Sequence, residues 1–318
     1  MKHTLELLED AAQQVHAVIT PTLQYNWPLL ATRCGCEVWV KHENHTPIGA
    51  FKVRGGIIFM NDFAKSGNTQ GIITATRGNH GQSIGFAARS AGVAATIVVP
   101  GGNSNEKNAA MAALGARLLV HGQDFDEAHE FAVATAAKDG LSFVPSFDTR
   151  LVRGVASYSL ELFGAVKELD AVYVPIGLGS GICGAIAARD ALGLRTEVVG
   201  VVSEKAPAYA LSFEAGKSVA SNSADTLADG VACRVPDMEA VEIINNGASR
   251  IVTVSENEIK DAIRAYYTDT HNLAEGAGAT ALAALLKEKD RMKGKKASVV
   301  LSGGNIDTDI YRAILAGN

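Results

Sequence analysis

Cysteine is scarce in this chain: only Cys34, Cys36, Cys183 and Cys233 occur among 318 residues. The one close pair, in CGC, has a single intervening residue, a spacing that suits neither a zinc knuckle nor a thioredoxin-like redox site. All four are read as free thiols of a reducing compartment. Concentrated charge of one sign is missing too. The 29 basic and 34 acidic residues give a net charge of −5 without a basic block or an acidic tail, so neither nucleic acid nor an anionic membrane is implied as a partner. No run of about 18 apolar residues occurs. The amino-terminal MKHTLELLEDAAQQV alternates charged and apolar residues at helical spacing, where a secretory signal has a continuous apolar core. A cytoplasmic protein without a membrane span is the expectation. There is no low-complexity linker or internal repeat to mark a domain junction.

What the chain does have is 47% hydrophobic and 20% charged residues, the composition of an ordinary soluble protein long enough for about two domains. The segment up to Val40 is mixed. From residue 71 onward, short Val/Ile-rich runs closed by Gly, Pro or Ser alternate with helical patterns. GIITAT, ATIVVP, ARLLVHG, AVYVPIG, TEVVGVV, RIVTVS and ASVVLSG read as strands; NEKNAAMAALGA, DFDEAHEFAVATAAK, SENEIKDAIRAYY and GATALAALLKEK read as helices. Near-continuous apolar strands between helices indicate parallel sheets covered on both faces, an α/β architecture. So many strands exceed one small sheet. Residues 64–146 are expected to form a small domain inserted in a larger one made of 1–63 and 147–318.

In open α/β sheets ligands bind beyond the carboxyl ends of strands, which directs attention to RGNHGQ (77–82), GLGSGICG (177–184) and SGGN (302–305). In GLGSGICG, four glycines let the backbone approach a ligand while helix amino-terminal amides face an anion, a phosphate cradle. Gly179, Gly181 and Gly184 also satisfy G-x-G-x-x-G, with Glu204 placed as a ribose-binding acid. That leaves an NAD-dependent dehydrogenase open as an alternative. Upstream, AFKVRGG (50–56) places Lys52 in an apolar setting. It reads either as a lysine with its head in water, or as a desolvated amine of lowered pKa that attacks an aldehyde to form a Schiff base. Asn79 offers an amide to a phenolate-like oxygen or a carboxylate, His80 is a general base or a structural hydrogen-bonder, and Ser302 offers a neutral hydroxyl beside Gly303 and Gly304. Together these are the parts needed to hold pyridoxal phosphate.

In the order FKVRGG, RGNHGQ, GLGSGICG, ADG (228–230), EGAGA (275–279) and LSGGN, the chain from about residue 15 resembles the serine/threonine dehydratase and serine racemase group of fold-type II pyridoxal-phosphate enzymes. The resemblance implies a tryptophan synthase β-like fold, with two parallel-sheet α/β domains and the active site in the cleft between them. It also implies that Lys52, beside Phe51, binds the cofactor and serves as α-proton base. By the same likeness, Asn79 bonds the ring hydroxyl, Gly177, Leu178, Gly179, Ser180 and Gly181 hold the phosphate, Ser302 faces the ring nitrogen, and Glu275 lies near the cofactor. Backbone amides of Thr76, Arg77, Gly78, Asn79 and His80 are expected to grip the substrate carboxylate. Ala50, Leu178, Ser180 and GVAS (154–157) depart from the group's usual pattern.

The implied activity is an ammonia-lyase acting on a β-hydroxy amino acid, L-threonine or L-serine by default. 3-Hydroxyaspartate or phenylserine dehydratase, serine racemase and a non-catalytic cofactor carrier are the alternatives. A homodimer is expected. Arg77 stands where racemases of the group carry a serine base, and a guanidinium is no base, so elimination is expected to dominate; the same cation suits a second substrate carboxylate. Val202 and Ala208 fall where the group's cation-binding carboxylates belong, with Glu204 nearby, so no metal is expected. The chain ends at Asn318, 13 residues beyond Asn305, so no isoleucine-sensing domain is expected.

Overall fold

The Val/Ile-rich runs become strands because each is buried, and their pairing sorts them into two sheets. The computed structural model describes residues 3–67 and 70–317. Met1, Lys2 and Asn318, which entered the readings of the two chain ends, lie outside the described residues. In chain order the strands are β1 (Gln24–Asn26), β2 (Glu37–His42), β3 (Ile72–Ala75), β4 (Ala95–Val99), β5 (Arg117–Val120), β6 (Ser142–Phe143), β7 (Ala171–Pro175), β8 (Glu197–Ser203), β9 (Arg250–Val254) and β10 (Lys296–Leu301). One sheet has the order β1-β2-β10-β7-β8-β9 and the other β5-β4-β3-β6. All pairs are parallel except β1 with β2. The four-stranded sheet is built wholly from chain lying between β2 and β7. Two large apolar clusters cover the faces of the six-stranded sheet.

Several elements are absent from the sequence reading. β2, EVWVKH, carries Lys41 and His42, yet both side chains are buried. Lys41 Nζ donates to Glu161 Oε2 at 2.5 Å, and Trp27 Nε1 donates to His42 Nε2 at 3.0 Å. The helix Lys52–Lys65 opens with two glycines in its first turn and a half, poor helix formers in isolation. They are there for packing. A Cβ on Gly55 would stand 2.9 Å from the Leu151 carbonyl oxygen, and one on Gly154 in the facing helix Thr149–Ala165 would stand 2.3 Å from the Arg54 carbonyl oxygen. Backbone cannot yield as a side-chain tip does, so Gly154→Ala is expected to cost about 1–3 kcal/mol by overpacking. A lower urea midpoint at unchanged slope measures it.

Beneath the start of the helix Lys52–Lys65 lies a buried network of charge. Arg54 donates to Glu43 (Nε–Oε2, 2.7 Å) and to Glu161 (Nη1–Oε1, 2.6 Å), while Thr22 donates to Glu43 Oε1 at 2.5 Å. Burial opposes the charge on Arg54, but Glu43 and Glu161 outweigh it and hold the guanidinium firmly protonated.

Candidate active site

The backbone of Lys52 is held from two sides. The Phe51 amide donates to the Ser302 carbonyl at 3.0 Å, beyond the end of β10, and Ser83 Oγ donates to the Lys52 carbonyl at 2.6 Å. The amine thereby enters a cavity, where it donates to Ser180 Oγ at 3.0 Å and sits 5.4 Å from the centroid of the Phe51 ring. Burial alone shifts it, drawing its pKa down to about 8. The neutral amine is the nucleophile. Imine formation with an aldehyde is therefore expected to speed up about tenfold per pH unit below 8 and to level off above it, whereas a lysine at 10.5 would keep accelerating. Uptake of an aldehyde cofactor by cofactor-free protein, timed from about pH 6 to 10, checks this.

The loop 177–181 joins β7 to the helix Ser180–Ala191. Gly179 has φ 102°, a left-handed conformation for which glycine is suited. Two tyrosines fix the loop from behind: Tyr209 donates to the Leu178 carbonyl at 2.9 Å and Tyr158 to the Gly181 carbonyl at 3.0 Å. With those carbonyls held, the first-turn amides of the helix, which have no acceptor within it, are presented as an anion site.

The segment 76–80 follows β3. Here the structure narrows an expectation, because two of the five amides assigned to a substrate carboxylate are engaged internally. Thr76 N–H donates to the Val98 carbonyl at 3.0 Å and Gly78 N–H to Thr76 Oγ1 at 2.9 Å. The amides of Arg77, Asn79 and His80 remain, the last two in the first turn of the helix Asn79–Ser90. The His80 ring is buried 3.1 Å from Thr74 Oγ1, and desolvation lowers its pKa to about 3. It is a neutral structural hydrogen-bonder. Asn79 Nδ2 donates to Glu275 Oε1 at 2.6 Å, and its Oδ1 accepts from Asn305 Nδ2 at 2.8 Å, leaving one N–H of the amide for another acceptor. Arg77 is exposed on the cavity wall and has no ion pair or hydrogen bond among the described residues.

Glu275 is buried, and that burial pushes its carboxyl up, against the pull of Lys107. Among the described residues its Oε2 has no hydrogen-bond partner, and it lies 3.8 Å from Lys107 Nζ, which is paired with Asp229. Lys107 escaped the sequence reading. It sits in the helix Asn105–Ala113, where a lysine ordinarily faces solvent, and only the fold turns it inward across Gly78, whose Cβ would stand 2.7 Å from Lys107 Cδ. Phe125 and Ser146 also line the site without a local signal.

Every residue expected at the site, from Phe51 to Ser302, lines this one cavity of about 540 Å³. A larger groove of about 1270 Å³ runs past Glu9, His16, Glu161 and Arg195, but it has neither a buried amine nor a glycine loop. Among the described residues no group of three or more His, Cys, Asp or Glu is arranged to hold a metal, all four cysteines are free and buried, and no helix is long and apolar enough to cross a membrane. A desolvated amine, unpartnered helix amides, one free Asn79 N–H, the orphaned Glu275 oxygen and the Ser302 hydroxyl suit a ring bearing an aldehyde, a phosphate and a hydroxyl.

Fold and site thus define a two-sheet α/β protein whose cavity, with a buried lysine amine, suits an aldehyde cofactor. The pyridoxal-phosphate dependent enzyme family matches residues 15–304, and the chain belongs to that family. The chain is 33% identical over 313 residues to an L-threonine ammonia-lyase of Thermotoga maritima, covering 98% of this chain and 78% of that protein. It is 34% identical over 310 residues to an L-threonine ammonia-lyase of Geobacter sulfurreducens, covering 97% and 77%. Its fold matches the processed form of threonine deaminase isoform 2 from Solanum lycopersicum with a TM-score of 0.91 at 28% identity, over 99% of this chain and 95% of that one. The dinucleotide alternative for Gly179, Gly181 and Gly184 is not favoured, since the family is defined by a different cofactor.

Proposed function

We propose that this chain is an ammonia-lyase that removes water from a β-hydroxy amino acid, L-threonine or L-serine, to give a 2-oxo acid and ammonia. One observation carries this reading: two helix amino termini converge on one cavity with the Lys52 amine, which burial alone shifts. Two anions, a cofactor phosphate and an amino-acid carboxylate, are thereby accommodated beside one nucleophile. When bound, pyridoxal phosphate supplies an aldehyde that condenses with amines and a ring that draws electron density from the substrate α-carbon. The loop of Gly177, Leu178, Gly179, Ser180 and Gly181 would hold the phosphate, Asn79 would bond the ring hydroxyl, and Glu275 would lie near the cofactor. Ser302 would face the ring nitrogen with a neutral hydroxyl, where a carboxylate would keep that nitrogen protonated. The amides of Arg77, Asn79 and His80 receive the substrate carboxylate, and Lys52, released as a free amine, takes the α-proton.

The same reading takes the two sheets as the cores of two domains, 64–146 and the remainder, in a cytoplasmic homodimer. Release of 2-oxo acid from threonine and serine by the cofactor-loaded protein is the test. No product from these, phenylserine or 3-hydroxyaspartate in either configuration defeats the proposal.

Arg77 supports a second substrate, 3-hydroxyaspartate, because an unpaired guanidinium on the cavity wall can hold a second carboxylate bidentately. Arg77→Ser is expected to lower kcat/KM on 3-hydroxyaspartate relative to threonine by about 10- to 100-fold, the scale of a charged hydrogen bond. It is also expected to raise racemisation of serine. An unchanged substrate ratio removes Arg77 from recognition.

A further inference from the structure

Asn305 closes the motif SGGN, and its side-chain amide joins the loops that converge on the cavity. Its Nδ2 donates to the Ile48 carbonyl at 2.8 Å, in the approach to Lys52, and to Asn79 Oδ1 at 2.8 Å, at the start of the helix Asn79–Ser90. Both N–H groups of the Asn305 amide are thereby used. The turn before Lys52 also presses on it, since a Cβ on Gly49 would stand 2.7 Å from Asn305 Oδ1. Asn79 carries the pattern one step further. Its Nδ2 donates to Glu275 Oε1 at 2.6 Å and keeps one N–H without a partner among the described residues. The two ends of an amide have nearly the same shape and opposite hydrogen-bonding character, so something must decide which end of Asn79 faces the cavity. The Ile48 carbonyl is backbone and only accepts. It obliges Asn305 to present its NH2, and Asn305 in turn obliges Asn79 to give up its oxygen and keep its NH2 for Glu275 and the cavity. Glu275 alone does not make that choice: burial raises the affinity of its carboxyl for a proton, and a protonated carboxyl donates as well as accepts.

We propose that Asn305 is the positioning residue that fixes the Asn79 amide with its N–H, and not its oxygen, toward the ring hydroxyl of the cofactor. The inference rests on the reading of Asn79 as the partner of that hydroxyl. In the fixed orientation the N–H favours the ionised ring oxygen; flipped, Asn79 would present an acceptor and favour the oxygen with its proton on. The same two bonds tie the start of the helix that follows β3, in the four-stranded sheet, to the segment leading into Lys52 and to the loop after β10, in the six-stranded sheet. Asn305 thus keeps the ring-hydroxyl partner in register with the amine and with Ser302.

The test titrates pyridoxal phosphate into the cofactor-free full chain and its variants, recording affinity and the absorbance spectrum of the bound cofactor. Asn305→Ala and Asn305→Asp are each expected to weaken binding by about 3- to 10-fold, the scale of one hydrogen bond. Both are expected to move the absorbance to shorter wavelength, as Asn79→Ala does, because a ring oxygen that keeps its proton absorbs there. Aspartate has the shape of asparagine and no donor, so a residue that only filled space would tolerate it. In the Asn79→Ala background, Asn305→Ala is expected to add less than about twofold, since a residue acting through Asn79 then has nothing to orient. Losses that add in full, an aspartate variant that matches wild type, or unchanged affinity and spectrum in the alanine variant overturn the inference. Unfolding of both Asn305 variants, seen by circular dichroism, makes Asn305 a structural residue and overturns it as well. If Asn79→Ala alters neither affinity nor spectrum, the ring-hydroxyl reading of Asn79 falls, and the positioning role with it.

Discussion

Lys52→Ala is expected to reduce turnover by at least about 10⁴-fold, the upper range for a single acid–base group, because it removes both the covalent anchor and the α-proton base. The visible absorbance of lysine-bound cofactor is expected to disappear. Stability is not expected to fall. Among the described residues the amine sits desolvated without a compensating carboxylate, with Ser180 as its one hydrogen-bond partner, so folding gains nothing from its charge. Alanine also suits the first helical position at least as well as lysine. Circular dichroism and urea unfolding should match or slightly exceed wild type while product release is lost. Turnover retained above about a hundredth of wild type is incompatible with the mechanism.

The largest stability effect is expected at Glu161→Ala, outside the cavity. Glu161 accepts from Arg54 at 2.6 and 3.0 Å, from Lys41 at 2.5 Å, and lies 2.7 Å from His16 Nε2. Without it, Lys41 and Arg54 remain buried with Glu43 as the one carboxylate between them among the described residues. Leaving a buried charge uncompensated costs about 3–5 kcal/mol, against a total stability of about 5–15 kcal/mol. Urea unfolding measures the loss. Burial works against the Glu161 carboxylate, but Arg54 and Lys41 outweigh it and hold its pKa below the ordinary 4.5. Its stabilisation is thus complete above about pH 4.5 and is lost as the pH falls through the lowered native value. Glu161→Gln should accordingly flatten the acid limb of the stability curve. Because Arg54 lies two residues after Lys52, loosening this network should also blur the position of the amine; a kcat loss larger than any change in KM would register it.

The sequence by itself determined the α/β class, the strands from β3 to β5 and from β7 to β10, and the set of loops that meet at the cavity. Strands buried on both faces must be apolar throughout, and ligands collect where such strands end, so both features are written in local composition. β2 was hidden because Lys41 and His42 look like surface residues until Glu161, far away in the chain, neutralises Lys41 and Trp27 bonds His42. The helix Lys52–Lys65 was hidden because Gly55 and Gly56 argue against a helix locally; their use is the close approach of chain around Leu151 and Ser83. Only the tertiary structure decided that Thr76 and Gly78 turn their amides inward, that Lys107 crosses Gly78 toward Asp229 and Glu275, and that Ser180 meets Lys52. The physical reason is the same in each case. Periodicity and turn chemistry act over a few residues, whereas the partner of a polar atom is selected by packing between segments distant in the chain, as Lys52 and Ser180 are at 128 residues apart.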